Sequence, residues 1–103
     1  MNFNDNFTDK LKKMVHSYNE AKIKRAQSLE LPPFIKEACI LLAQEGKNYY
    51  RLEDEKLYIY VSQILNTKDR SLIHNRINDY LESFKLHGFT ITTTKYDEIL
   101  LQW

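Results

Sequence analysis

The sequence is poor both in residues that break chains and in residues that do chemistry. Glycine and proline occur only twice each in 103 residues, so most of the chain is expected in regular secondary structure. Two glycines cannot build a glycine-rich phosphate loop. The single cysteine, Cys39, excludes an internal disulfide and fits a reducing compartment. Neither sign of charge dominates: 15 basic residues against 14 acidic ones leave a net charge of +1. That is not the strongly basic balance that drives nonspecific nucleic-acid binding. The longest wholly apolar run, ACILLA at residues 38–43, is far too short to span a membrane. The opening MNFNDNFTDKLKK has no apolar stretch of signal-peptide length. A soluble protein of the cytoplasm, with no membrane partner, is the expectation.

Signatures of catalysis are equally scarce. His16, His74 and His87 have no second ligand-type residue at metal spacing, such as HExxH or CxxC. The acidic runs Glu53-Asp54-Glu55 and Asp97-Glu98 lie in turn-like, solvated stretches, a poor setting for acid–base catalysis. No GxSxG and no Cys/His pair marks a nucleophile. No activating base lies near Cys39 in the sequence, so it reads as a small core residue. Neither an enzyme, a cofactor nor a metal is expected.

What is present suits one small folded domain. Hydrophobic residues make up 43% of the chain, enough for one core. Thr8 is a good helix N-cap, with Asp9 in the first turn. Phe7, Leu11, Met14, Tyr18 and Ala21 then recur at spacings of four and three, which predicts one apolar stripe on a helix over residues 9–28. The stripe is narrow and its far side is lysine-rich. An ordinary surface helix fits this pattern, and so does a seam that docks a partner or a second copy. Leu31-Pro32-Pro33 breaks the chain. Residues 33–45 follow as a helix apolar around most of its circumference, read as the central buried helix, with Gly46 at its C-cap.

Residues 48–52 (NYYRL) predict a strand. Asp54 then caps a helix whose buried face is Leu57, Val61, Ile64 and Leu65. Thr67 or Asp69 caps the next, which holds helical period through Leu72, Ile73, Ile77, Tyr80, Leu81 and Phe84 to Gly88. Residues 89–103 alternate and predict a β-hairpin around Lys95-Tyr96-Asp97-Glu98, with Trp103 closing the edge of the core. The fold class is therefore α+β: an amphipathic N-terminal helix over residues 1–31, then a compact unit over 32–103.

That order of helix, strand, helix, helix and hairpin resembles a winged helix, with the hairpin as wing. The resemblance implies a recognition helix starting near Lys68. Lys68, Arg70, His74, Asn75 and Arg76 would be its nucleic-acid-binding residues. Charge argues against this use. Residues 52–103 carry six basic and eight acidic residues, whereas residues 1–51 carry nine basic and six acidic.

IKEACILLAQEGKNYY at residues 35–50 and YLESFKLHGFTITTTKYDEILLQW at residues 80–103 carry a second resemblance. It is to small proteins of large tailed phages and giant DNA viruses, in which a helix ends at Ala…Gly-Lys and a later helix ends at Gly-Phe. A hairpin ending in Trp follows. The matching residues are Ala43, Gly46, Lys47, Gly88, Phe89, Ile99, Leu101 and Trp103. The middle, at residues 64–72, is longer than that pattern, and the first 30 residues lie outside it. The resemblance implies a viral protein that acts by binding protein, either as a virion component or as a small inhibitor of a host defence or polymerase complex. Expected contact residues are Phe7, Leu11, Met14 and Tyr18 on the first helix and the aromatics Tyr49, Tyr58, Tyr60 and Tyr96, taken as exposed. Self-association is expected too.

Overall fold

The structure is a computed structural model. It describes residues 3–103, and the side chains from residue 7 on. The elements run α1 (Phe3–Gln27), α2 (Pro33–Gln44), β1 (Tyr49–Glu53), α3 (Asp54–Leu65), α4 (Arg70–Leu86), β2 (Thr90–Thr93) and β3 (Glu98–Gln102). The α+β class and the winged-helix-like order are as the sequence predicts.

Chain punctuation follows from a few residues. Gly46 (φ 81°) and Gly88 (φ 100°) both sit one residue past a helix cap. Lys47 N–H reaches Leu42 O at 2.9 Å and Phe89 N–H reaches Phe84 O at 3.1 Å. These are the long return bonds that close a helix through a left-handed residue. Asn66 (φ 50°) ends α3 by the same pattern, with Thr67 N–H on Ser62 O at 3.2 Å. Asp69 is the N-cap of α4. Its carboxylate accepts from Ser71 N–H at 2.9 Å and Leu72 N–H at 3.4 Å. Thr67 Oγ1 accepts from Asp69 N–H at 3.1 Å, so both candidate caps are used in series.

The hairpin strands do not stand alone. β3 is central, with β1 antiparallel on one side and β2 antiparallel on the other. The register pairs Leu52 with Ile99 and Tyr50 with Leu101 on one side, and Ile91 with Leu101 on the other. Residues two apart on a strand share a face, so this register lays Leu52, Ile99 and Leu101 onto the helices. With Ile35, Leu57, Val61, Ile73, Tyr80 and Phe84 they form the core.

Several expectations are corrected. Thr8 is not the N-cap, because α1 is already helical from Phe3. The propensity cost of a threonine inside a helix is small, and a good cap residue does not force a start. Asp54 is the first residue of α3 and not its cap. β1 runs directly into α3 at Glu53, and Asp54 N–H is taken by Asp97 O at 3.2 Å. Ile64 lies outside the buried face of α3, at 51% exposure. The largest correction concerns α2, in which only Ile35 is fully buried, while Ile40 and Leu41 are exposed. α2 is a flank packed on β1, and the centre belongs to α3, α4 and the sheet. Trp103 is 42% exposed. Its ring meets Phe89 edge-on at 6.2 Å and its backbone N–H donates to Asn48 O at 3.0 Å, so it lies at the edge of the core, over the sheet's end.

Two substitutions test this account by urea unfolding. Phe84→Ala opens a cavity at a fully buried position and is expected to cost about 3–5 kcal/mol. A Cβ at Gly88 meets nothing within 4 Å, so Gly88→Ala should show backbone strain alone, about 1–2 kcal/mol.

Candidate functional site

α1 holds the least satisfied apolar surface of the molecule. Phe7, Leu11, Met14 and Tyr18 fall on one side of the helix by their four–three–four spacing. Their exposures are 62%, 44%, 61% and 64%, and Val15 beside them is 59% exposed. Every described side chain from Phe7 to Ala21 is exposed. The ion pairs and the buried residue that join α1 to the body lie further along. Lys22 Nζ lies 3.8 Å from Glu82 and Arg25 Nε 3.4 Å from Asp79. Ala26 is buried, and Ser83 Oγ donates to Leu29 O at 3.3 Å. From Lys22–Glu82 to Arg25–Asp79 the number on α4 falls as that on α1 rises, so the two helices run antiparallel where they meet, and Ser83 is reached by Leu29 only after α1 has ended at Gln27. The molecule measures 63 × 34 × 28 Å, and a 25-residue helix of about 37 Å fastened by its last turns accounts for the long dimension.

Tyr18, Lys22 and Arg25 continue the stripe at spacings of four and three, and all three line a groove of about 720 Å³. Its other wall includes Leu65, Leu72 and Asp79. Leu72, expected on the buried side of α4, is 54% exposed.

The tyrosines divide. Tyr96 is exposed at the hairpin turn, with Lys95 Nζ 5.2 Å from its ring centre. Tyr58, Tyr60 and Tyr49 were expected to be exposed and are half-buried. Tyr60 packs edge-on between Phe34 (5.3 Å) and Tyr80 (6.1 Å), and Tyr58 packs on His74 at 5.6 Å. Aromatic rings at this spacing gain from edge-to-face contact, so Tyr58 and Tyr60 contribute to the fold itself.

The winged-helix residues are not gathered on one face either. Lys68, Arg70, His74 and Asn75 are exposed and Arg76 is half-buried. Asn75 and Arg76 line the groove beside α1, whereas His74 lines a separate, mostly apolar cleft of about 390 Å³ with Tyr58, Leu81 and Ile99. Asp54 borders that second cleft, and burial, with Asp97 nearby, holds its carboxyl above the usual range. Burial likewise raises the Tyr80 phenol, Tyr60 adding to the effect and Arg76 opposing it.

Among the described residues no three His, Cys, Asp or Glu side chains gather so as to hold a metal, and no helix is long and apolar enough to cross a membrane. The chain matches no protein-family model, no curated protein and no solved structure. Val15, Leu65, Ile40 and Leu41 are further exposed or groove-lining apolar positions that the stripe pattern does not single out. Val15 has a signal, since it flanks Met14. Ile40 and Leu41 have none, since a helix apolar all round reads as buried.

Cys39 is half-buried and desolvation raises its thiol above the ordinary value. Only the thiolate is nucleophilic. Alkylation by iodoacetamide at pH 8 should therefore be slower than that of an unstructured cysteine, and should keep rising above pH 9. A rate above the peptide control would contradict this environment.

Proposed function

We propose that the protein acts by binding protein through the projecting part of α1, without catalysis. The observation that supports this most strongly is the exposed stripe of Phe7, Leu11, Met14 and Tyr18 on a helix that is ion-paired to its own body at Lys22 and Arg25. Four large apolar side chains aligned and left in water are costly in a monomer, and contiguous apolar surface of this kind marks an interaction site. The resemblance to small phage and giant-virus proteins supplies the setting: a virion component held by neighbours, or a small inhibitor of a host complex. Either role needs a surface and no reacting group.

A second reading as a winged-helix DNA binder has one favouring observation: Lys68 and Arg70 are exposed at the start of α4, the helix in the recognition position. On α4 itself Asp79 and Glu82 point to α1 and pair with Arg25 and Lys22, which places α1 beside the helix that would have to enter a groove.

A photoreactive residue at position 14, with position 47 as an exposed control, separates the readings in the cells that make the protein. Protein adducts at 14 and not at 47 are expected; no protein adduct at 14 would overturn the proposal. In parallel, a labelled mixed-sequence duplex at low salt should remain unbound. Binding that weakens steeply with added salt and disappears in Arg70→Ala/Arg76→Ala would favour the DNA reading instead.

A further inference from the structure

Resting on that protein-binding reading, we propose that the occupant of the stripe is a second copy of the chain, its α1 laid antiparallel so that Phe7 meets the partner's Tyr18 and Leu11 meets the partner's Met14. The four large side chains of the stripe are symmetric on reversal. About the point midway between Lys12 and Lys13, Leu11 and Met14 are equidistant, as are Phe7 and Tyr18. The chemistry is symmetric as well, with aliphatic side chains in the middle and an aromatic ring at each end. A twofold axis requires a surface complementary to itself under this operation, and an antiparallel helix pair through that midpoint meets the requirement.

The flanking positions raise no objection. In a two-helix seam Leu11 and Tyr18 take one core position of the heptad and Phe7 and Met14 the other. The residues bordering the seam are then Thr8, Lys10, Val15 and Ser17. Antiparallel pairing sets Lys10 against Ser17 and Thr8 against Val15, so no two like charges face each other. The lysines at positions 12 and 13 stay outside, in water.

The body selects this direction over a parallel pair. Lys22 and Arg25 continue the stripe, and α4 already sits on them through Glu82 and Asp79. A parallel pair would bring both α4 helices to the same level against one seam. An antiparallel pair leaves the bodies at opposite ends, with the shared segment 7–18, about 17 Å of helix, free between them. Phe7 of each copy then lands at the mouth of the other's groove, which Tyr18 lines. Covering Phe7, Leu11, Met14, Val15 and Tyr18 in both copies removes on the order of 1,000 Å² from water, the lower bound for a specific interface.

The test is light scattering on the full chain at about 100 μM, a concentration suited to an interface of this modest size. Twice the 12.4 kDa of one chain is expected. Leu11→Asp should return the single mass and keep a cooperative circular-dichroism melt, because position 11 is outside the core, and should raise the dissociation constant about a hundredfold or more. Direction is read in a Cys39→Ser background. Phe7→Cys mixed with Tyr18→Cys should form an interchain disulfide on mild oxidation, and Phe7→Cys alone should form little. Efficient linking of Phe7→Cys to itself means a parallel pair and overturns the proposal, as does a dimer that ignores Leu11→Asp. A single mass for the unaltered chain also overturns it. In that case, protein adducts at position 14 would leave protein binding standing with another partner, and their absence would remove both readings.

Discussion

β3 is the constraint on which the rest of the body depends. It is the central strand, and each of its ladders closes a different part of the chain. Through Leu52–Ile99 and Tyr50–Leu101 it holds β1, which is separated from it by all of α3 and α4. Through Ile91–Leu101 it holds β2, its hairpin partner. Two bonds from its ends fix neighbouring elements: Asp97 O receives the first N–H of α3, and Trp103 N–H reaches Asn48 O just before β1. Pairing β1 with β3 requires long loop closure before any contact rewards it. The pairing becomes favourable once Ile99 and Leu101, the two strand residues buried beside Leu52, meet Leu57, Val61 and Phe84. The sheet and the helix pair are thus one cooperative unit, since neither has a covered apolar face without the other.

Local signals in the sequence place most of the helix ends. Gly46, Gly88 and Asp69 mark helix ends because a left-handed residue or a capping carboxylate acts within a few positions. The alternation of residues 89–103 and the helical period of α4 likewise depend on near neighbours. Thr8 and Asp54 are misread by a single position or a single turn, and the larger misreadings involve distant partners. Nothing in NYYRL says that β1 will pair with a strand some fifty residues later. The apolar wrap of α2 promises burial, yet burial is decided by how much sheet and helix is available to cover it, and α3 and α4 take the central place. Ile40, Leu41, Ile64 and Leu72 are the residues left over. The stripe on α1 was legible by the same logic, because four–three–four spacing is local. Its lack of any cover was not, since that depends on where the body stops.

Charge explains how α1 is held without being absorbed. The basic first half and the acidic second half of the chain meet at Lys22–Glu82 and Arg25–Asp79. Pairs this exposed contribute little stability, roughly 0–1 kcal/mol each, so they orient the helix more than they fasten it. The fastening comes from Ala26, buried at the crossing, and from Ser83, which is buried and spends its hydroxyl on Leu29 O. Ala26 and the bond to Leu29 both lie at the C-terminal end of α1. The acidic residues that weaken a DNA-reading role for α4 are therefore accounted for by a structural one.

This division of α1 has a consequence for what the molecule can do. A helix within a protein gains most of its stability from packing one face, and none of the described side chains before Lys22 is buried. The segment before Lys22 is continuous with one that is held, which lets helical structure extend outward from the body. The cost of leaving Phe7, Leu11, Met14 and Tyr18 in water is what a partner surface would relieve. Because the lever is anchored at one end by α4, whatever covers the stripe approaches from the N-terminal side and stops where Glu82 already occupies Lys22. The fold therefore fixes the point at which the uncovered stripe ends.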